Sequence, residues 1–409
     1  MSFDIALSGV DAANTDLNVV SNNIANVDTT GFKESETEFA DVYAQTQQGV
    51  ASTATGNGVA VTDVAQQFAQ GNITTTSNNL DLALSGNGFF ILSNNGATSY
   101  TRNGAFQVNS TGYLVDSSGD LVQGYQPLST GGFNTGQLSN MQLTTAESQP
   151  QATTTATINL NLPSNATAPT DATFSPSDPN SYTQSTSLTV YDSLGAAHTA
   201  QLYFIKGATA NNWTTQLYVD GTAVGTTPQA LDFNSSGTLT TPANGQIDFD
   251  GYTPATGASA MNMTFDFGGS TQYGDTFGVN SLSQNGYTTG SLVGINISAT
   301  GVVQANFTNG QSTTLGQLAL ANFADPQGLQ QIGNTQWEQS YASGAPVQGV
   351  AGGSGFGTLQ SGALEDSNVD ITSQLVDMIT AQRAFQANAQ MISTEDQLTQ
   401  DVINIPSQG

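Results

Sequence analysis

Residues 3–27 of the chain read FDIALSGVDAANTDLNVVSNNIANV. Apolar side chains recur in this stretch every seven residues, at Phe3, Val10, Leu17 and Ile24. A second apolar set occupies the companion position of each repeat, at Ala6, Ala13, Val20 and Val27. This spacing is typical of the a/d seam of a coiled coil. The sequence therefore predicts a helix about 37 Å long, with an apolar stripe that needs a partner.

The carboxyl end of the chain repeats this pattern. Apolar residues are again seven apart at Ile371, Met378, Phe385 and Ile392. The companion position holds Leu375, Gln382 and Ala389. Residues 367–370, which read SNVD, have the spacing of a capping box just before this run. We expect the two terminal helices to pair, so that the two ends of the chain meet in space.

Helical periodicity largely vanishes between the two ends. In residues 261–267 the apolar side chains alternate with polar ones, as they do in a half-buried strand. Asn95 and Gly96 separate two apolar runs and predict a hairpin turn. The predicted fold class is mainly β with terminal α-helices, in which paired N- and C-terminal coiled-coil helices carry nested β domains.

The same patterns divide the chain into four parts. Residues 1–30 with 366–409 form a terminal helical (coiled-coil) domain. Residues 31–80 with 349–365 are linker or hinge segments, and the Gly-rich run at 349–357 is interpreted as a flexible connection. Residues 81–147 with 285–348 form an inner β domain. Residues 148–284 form an outer β domain.

Composition and charge exclude several functions. The 409 residues include 31 acidic and only 4 basic side chains, a net charge of −27, so binding to nucleic acid or to an anionic membrane surface is excluded. No apolar run is long enough for membrane insertion. There is no cysteine, and His198 is the single histidine. We therefore predict no metal site and no cofactor, and we expect His198 to be an exposed loop or strand-end residue.

The terminal helices are best explained as assembly elements. A lone amphipathic helix is marginal in water, and one antiparallel pair covers only part of two such stripes. The uncovered part favours pairing between copies of the same chain. Packing within one molecule is the simpler alternative, and we expect it to account for part of the seam.

Five sequence blocks, in order, resemble the bacterial flagellar rod and hook proteins. The first is residues 21–33, SNNIANVDTTGFK, preceded by ALSGV at 6–10. Two more lie at 80–92, which contains GNGFF, and at 100–106, YTRNGAF. The fourth is LALANF at 318–323, followed by Gly328 and Leu329. The last is SGALEDSNVD at 361–370, leading to QRAFQAN at 382–388.

The resemblance implies a structural role. In this family many copies stack into a tube, with terminal helices lining a central channel and β domains forming the outer layers. The large middle region favours a hook subunit, which acts as a universal joint that transmits torque from the motor and rod to the filament; a distal rod subunit is the alternative. Implied partners are the chain itself, the rod, hook-cap and hook–filament junction proteins, and the flagellar type III export apparatus.

The resemblance also implies a location. A hook subunit lies in the bacterial flagellum (hook and basal body), outside the cell. The first residues lack the basic and apolar regions of a secretory signal peptide. We therefore expect export without a cleaved signal peptide.

The candidate assembly residues lie on both helices. On the first helix they are Val10, Leu17, Val20, Asn22, Asn23, Ile24 and Asn26. On the second they are Ile371, Leu375, Met378, Gln382, Arg383, Phe385 and Ile392. The three asparagines have two compatible interpretations: they end the helix, or their amides hydrogen-bond across packed helices.

The turn after the first helix and the four cations complete the candidates. Gly31 is expected to supply a positive-φ turn, Phe32 to anchor the chain, and Lys33 to pair with a carboxylate. Arg383 is expected to bond a carboxylate or a helix-end carbonyl on a neighbouring helix. Arg102 is expected to pair with an acid, and Lys206 to be an ordinary surface residue.

Two other protein classes share parts of this composition. A secreted β-rich adhesin would not need heptads at both ends. A polysaccharide-active enzyme would need two carboxylates in a cleft, and no spacing in the sequence identifies such a pair. We therefore predict no enzymatic activity.

Overall fold

The computed structural model describes residues 2–42, 56–143, 146–171 and 173–403. One long helix lies at each end, α1 (Ser2–Ala25) and α2 (Ile371–Ile403), and the two helices pack against each other. Strands make up nearly all of the regular structure between them. The predicted fold class is thereby confirmed. Residues 43–55 of the predicted linker and 404–409 of the predicted terminal domain lie outside the described residues.

The strands follow α1 in three runs. The first run is β1 (Ser35–Asp41), β2 (Val59–Gln66), β3 (Ile73–Thr75), β4 (Leu82–Ser85), β5 (Phe89–Asn94), β6 (Ala97–Thr101), β7 (Gln107–Val108), β8 (Leu114–Val115), β9 (Leu121–Tyr125) and β10 (Ser139–Asn140). The second run is β11 (Thr155–Asn161), β12 (Gln184–Tyr191), β13 (Ala197–Lys206), β14 (Asn212–Val219), β15 (Thr222–Phe233), β16 (Leu239–Thr241), β17 (Gln246–Tyr252), β18 (Met261–Asp266) and β19 (Gly278–Gln284). The third run is β20 (Leu292–Ile297), β21 (Val302–Phe307), β22 (Ser312–Asn322), β23 (Gln330–Gly333), β24 (Gln336–Glu338), β25 (Val347–Val350), β26 (Thr358–Ser361) and β27 (Ala363–Glu365). Two short 3₁₀ turns lie at Pro179–Ser181 and Pro326–Gly328.

The chain separates into two compact units. The first unit contains Met1–Thr145, Gly294–Ala305 and Ser312–Gly409, and the second contains Ala146–Val293 and Asn306–Gln311. The four-part division, with its inner, outer and hinge assignments, stays a prediction. Within the segments predicted as hinges the structure places strands β1–β3 and β25–β27. The run at 349–357 contains a hydrogen-bonded turn in which the Gly352 N–H donates to the Gly357 carbonyl, at 2.8 Å.

The main sheet of the first unit is buried on both faces at its centre, where β5 lies. Its order is β20-β21-β22-β9-β5-β6-β24-β23, with short strands added at its sides. Phe90 and Leu92 of β5 face one apolar core, and Phe89 and Ile91 face the other. The predicted hairpin is confirmed: β5 and β6 pair antiparallel around Asn95 and Gly96, both with positive φ.

The second unit is a sandwich of two sheets. The first sheet has the order β17-β18-β11-β19 and the second β12-β13-β14-β15-β16. Their inner faces share one core, to which β11 contributes Ile158 and Leu160 and β14 contributes Trp213. The predicted alternation in residues 261–267 is confirmed, since the apolar side chains of β18 are buried and the residues between them are not.

Candidate functional site

The terminal helices form an antiparallel pair with a close contact near its middle. A Cβ added at Gly9 of α1 would lie 2.6 Å from the side-chain amide of Asn388 on α2. The amide of Asn23 donates to the side-chain oxygen of Gln374, at 3.0 Å. Residue numbers therefore rise on α1 as they fall on α2. Because glycine has no side chain, the helices approach at Gly9 more closely than a larger residue would allow.

The buried companion positions of α2 are shifted by one residue along the helix from the predicted ones. Leu375 and Gln382, predicted as companion positions, are exposed, and the buried companions are Gln374 and Ala381. On α1, Ala6, Ala13 and Val20 are buried as predicted companion residues. Polar and small side chains therefore face α1, whereas a hydrophobic pattern alone assigns the larger apolar residues to that seam.

Several large apolar side chains of α2 are exposed in this chain. Ile371, Leu375 and Ile379 are spaced four residues apart and are 46%, 47% and 50% exposed. Residues with this spacing share one side of a helix. Met378 and Ile392 are partly buried, and Phe385 is exposed at the edge of the seam. On α1, Phe3 and Leu7 are exposed, and Val10, Leu17 and Ile24 are partly buried.

Asn23 links the end of α1 to both α2 and β1. Its amide also donates to the Ser35 carbonyl at 2.8 Å, and its oxygen accepts from the Ser35 N–H at 3.0 Å. Gln374 in turn donates to Glu34, at 2.6 Å. Burial raises the pKa of Glu34, as do the negative charges of Glu36, Asp377 and Asp370.

The neighbouring asparagines make local contacts instead. The Asn26 amide donates to the carbonyl of Asn22 at 2.9 Å and to its side-chain oxygen at 3.0 Å. The Thr29 hydroxyl donates to the Asn26 side-chain oxygen at 3.2 Å. Asn23 therefore hydrogen-bonds across the packed helices, whereas Asn22 and Asn26 contact each other at the end of α1, and neither has the positive φ of a left-handed cap.

The turn after α1 places Phe32 and Lys33 in the interior of the first unit. Gly31 has φ of 69°, and a Cβ there would lie 2.6 Å from the Asn103 backbone nitrogen. Its N–H donates to the Glu365 carbonyl at 2.8 Å. Phe32 is 5% exposed and Lys33 is 1% exposed. The turn thus directs two consecutive side chains inward, one of them charged.

Glu365 binds two of the four cations. The Lys33 ammonium lies 2.6 Å from one of its carboxylate oxygens, and the Arg102 guanidinium 3.4 Å from the other. Lys33 also donates to the Ala69 carbonyl at 2.8 Å. Burial lowers the pKa of both Lys33 and Arg102, and Glu365 opposes that shift. The sequence indicated no role for Glu365. Its carboxylate is needed because the two buried cations would otherwise have no counter-charge.

Two of the predictions about single residues are wrong. Lys206 is buried rather than on the surface, and its ammonium donates to the carbonyls of Gly207, Thr209 and Asn212. His198 is buried as well, between two carboxylates. Lys206 is satisfied by carbonyls within six residues of it in sequence, whereas one partner of His198, Asp220, is 22 positions away.

Arg383 is the remaining cation and lies on the exposed side of α2. It follows Ile379 by four residues and so extends the row of Ile371, Leu375 and Ile379. Within the described residues it makes no hydrogen bond or ion pair. The exposed side of α2 therefore carries apolar residues that end in a positive charge.

The described residues show no metal cluster and no membrane-spanning helix. Among the described residues, no cluster of three or more acidic, histidine or cysteine side chains could hold a metal ion. No described helix is long and apolar enough to cross a membrane.

Four known protein families match consecutive parts of the chain. They are "Flagella basal body rod protein" at residues 3–33, "Flagellar hook protein FlgE/F/G D1 domain" at 83–174, "Flagellar basal body protein FlaE D2 domain" at 159–287, and "Flagellar basal body rod FlgEFG protein C-terminal" at 360–405. The matches include α1, most of the second unit and α2.

Similar proteins match over nearly the whole chain. The flagellar hook protein FlgE of Escherichia coli (strain K12) is 39% identical over 416 residues, covering 99% of this chain and 100% of the relative. That of Salmonella typhimurium is 38% identical over 418 residues, with the same coverage. That of Rhizobium meliloti (strain 1021) is 33% identical over 415 residues, covering 98% of this chain and 97% of the relative.

A solved structure shares the fold. The Helicobacter pylori flagellar hook protein FlgE2 aligns with a TM-score of 0.54 and 16% identity, over 71% of this chain and 100% of that one. The sequence matches are much closer and extend through both helices and both units. On that basis this chain belongs to the flagellar hook protein FlgE family, a structural and not an enzymatic family.

Proposed function

We propose that this hook subunit polymerises with copies of itself into a flexible curved tube, and that the exposed face of α2 contacts neighbouring copies. The observation that supports this most directly is the row Ile371, Leu375 and Ile379, which α1 leaves about half exposed. The other side of α2 is already packed against α1 at Gln374 and Ala381. A second copy is the partner that a homopolymer supplies at every α2.

Charge supports the same surface. Lys33, Arg102 and Lys206 are buried, so Arg383 is the exposed side-chain cation of a chain with 31 acidic residues. An interface between two such chains brings many negatively charged carboxylates together. Arg383 of each copy is the exposed side-chain cation that can offset their repulsion. We propose that Arg383 binds a carboxylate or a helix-end carbonyl of a neighbouring helix. An arginine that does so beside an apolar row also fixes the register of the contact.

The remaining assembly residues have distinct proposed roles. Val10, Leu17, Val20 and Ile24 hold α1 against its neighbours, and Met378, Phe385 and Ile392 lie along or beside the seam of α2. Gln382 lies beside the exposed row and is available to a second copy. Asn23 and the turn of Gly31, Phe32 and Lys33 orient α1 within one subunit, so they act on assembly through that orientation.

A universal joint must bend while it transmits torque. We propose that the helix contacts resist twisting and that polar faces of the β units slide as the tube bends, exchanging hydrogen bonds with water. The segments 31–80 and 349–365 are the proposed hinges. The rod, hook-cap and hook–filament junction proteins and the type III export apparatus are the proposed partners, with a final location outside the cell.

Polymerisation of single-residue variants tests the α2 contact. About half of Ile379 remains exposed, and burying that half contributes roughly 1 kcal/mol. Ile379→Ala should therefore raise the critical concentration for tube formation about fivefold, as measured by sedimentation and electron microscopy. Arg383→Gln should also raise it, and more so at low salt.

The control must remove an exposed apolar side chain elsewhere in the first unit. Val347→Ala on β25 does so, since Val347 is 61% exposed and lies away from the helices in sequence. Its critical concentration should equal that of the unaltered chain. Equal critical concentrations for Ile379→Ala, Arg383→Gln and Val347→Ala would reject the proposed surface.

A further inference from the structure

The second unit holds the single histidine of the chain between two carboxylates. His198 is the second residue of β13 and is 6% exposed. Its Nδ1 lies 2.6 Å from an oxygen of Asp220, and its Nε2 lies 3.2 Å from an oxygen of Asp192. Asp192 lies in the β12–β13 turn and Asp220 in the β14–β15 turn. Because these strands alternate in direction, both turns lie at the same end of the sheet.

The hydrogen-bond partners determine the charge of the imidazole. Asp192 also accepts from the Leu194 and Ala196 N–H groups and from the Thr256 hydroxyl. These donors favour the ionised form of Asp192, because hydrogen bonds from N–H and O–H groups stabilise a carboxylate more than a neutral acid. A neutral imidazole has one N–H, whereas His198 has a carboxylate oxygen at each ring nitrogen.

We propose that His198 is held as an imidazolium by Asp192 and Asp220 and acts as a pH-sensitive clamp, which links the two sheets of the second unit and weakens at alkaline pH.

The contacts around the clamp come from both sheets. Tyr252, the last residue of β17, donates its hydroxyl to Asp220 at 3.2 Å. Thr256, in the connection from β17 to β18, donates to Asp192 at 2.7 Å. The titratable groups that face His198 in the described residues are therefore Asp192, Asp220 and Tyr252. If the imidazole loses a proton, one carboxylate faces a nitrogen lone pair, and its remaining donors do not replace the lost contact.

The pKa shifts have the direction that such a clamp requires. Burial by itself would lower the pKa of His198, but the hydrogen bonds to Asp220 and Asp192 outweigh it and raise the pKa above 6.5. Burial would raise the pKa of Asp192, but hydrogen bonds from Thr256, Ala196 and His198 lower it to about 2. The clamp is therefore complete between the unfolded pKa of Asp and that of His, and it is lost as pH rises through the raised pKa of His198.

Nuclear magnetic resonance of the full-length chain tests the charge directly. His198 is the single histidine, so a chain labelled with ¹⁵N-histidine gives one imidazole to assign. We expect both nitrogens to be protonated at neutral pH and the pKa of His198 to lie above that of the same chain in urea. Asp220→Asn and Asp192→Asn should each lower it. Asp250→Asn, which removes an exposed acid on β17, should leave it unchanged.

A second measurement follows the second unit alone. Trp213 belongs to its core and Trp337 to the first unit, so fluorescence in a Trp337→Phe background reports the second unit. Its thermal midpoint should fall as pH rises through the His198 titration, and His198→Gln should abolish that slope. Tyr252→Phe removes the ionisation of the tyrosine at higher pH, so the slope that remains in this variant is due to His198.

Two outcomes overturn the proposal. A pKa of His198 at or below the value in urea means that the imidazole is neutral in the folded chain. An equal pH slope of the midpoint with and without His198 means that the ring does not clamp the sheets. Should His198→Gln fail to fold, the titrations of the unaltered chain and of Asp250→Asn still decide the first point.

Discussion

Neutralising the buried carboxylate of Glu365 should destabilise the first unit. The loss should be much larger than that caused by neutralising an exposed acid of the same unit. The Glu365 carboxylate lies 2.6 Å from the Lys33 ammonium and 3.4 Å from the Arg102 guanidinium. It also accepts from the Gly71 N–H at 3.0 Å. Glu365→Gln retains the size of the side chain and leaves two buried cations without a counter-charge.

The magnitude follows from the burial of the partners. Lys33 is 1% exposed and Arg102 is 4% exposed, so water does not replace the lost carboxylate. Breaking a buried ion pair by removing one partner costs about 3–5 kcal/mol. Because two cations depend on Glu365, we expect a value in the upper half of that range. With a urea slope of about 2–3 kcal/mol/M, the unfolding midpoint should fall by roughly 1.3–2.5 M.

Urea unfolding followed by the fluorescence of Trp337 measures this loss. A Trp213→Phe background removes the signal of the second unit. Glu338→Gln is the matched control, since Glu338 is an exposed acid on β24 of the same unit. A midpoint for Glu365→Gln within about 0.3 M of that control would refute the argument, because it would mean that the buried cations do not need the carboxylate.

Two further predictions concern the backbone turn and the surface charge. Gly31→Ala should lower the stability of the first unit by more than Gly96→Ala does. Both residues have positive φ, but only a Cβ at Gly31 would clash with neighbouring backbone. The thermal midpoints of the two variants measure the difference, since Gly96→Ala has backbone strain alone and Gly31→Ala has strain and a steric clash. Polymerisation should improve as salt is raised, because salt screens repulsion between chains of net charge −27; a critical concentration that rises between about 0.05 and 0.5 M NaCl would contradict this.

Local patterns in the sequence predicted most of the architecture. The heptads predicted α1 and α2, the Asn95-Gly96 pair predicted the β5–β6 hairpin, and alternation predicted β18. Each of these depends on neighbours within a few turns of the chain. The resemblance to flagellar rod and hook proteins is also confirmed, and its full-length relatives are hook proteins rather than the distal rod alternative.

Side-chain contacts between distant residues could not be predicted in the same way. Lys33 and Glu365 are 332 positions apart, so no spacing connects them. Lys206 donates to backbone carbonyls, and because every residue has one, no side-chain pattern in the sequence indicates this contact. The burial of His198 depends on two turns and a strand end that meet only in the folded sandwich. The sequence predicted that Lys33 and Arg102 pair with carboxylates, but it did not identify Glu365 as their partner.

The helix pair itself gives a physical reason for assembly. Within one chain α2 presents the polar Gln374 and the small Ala381 to α1, and it leaves Ile371, Leu375 and Ile379 outward. Covering the outward row would therefore add apolar burial that the intramolecular seam does not supply. A partner that binds only the folded helix stabilises it, by a free energy that grows with the logarithm of the partner's concentration. In a tube each copy would supply that partner to its neighbour, so helix stability and polymerisation should rise and fall together.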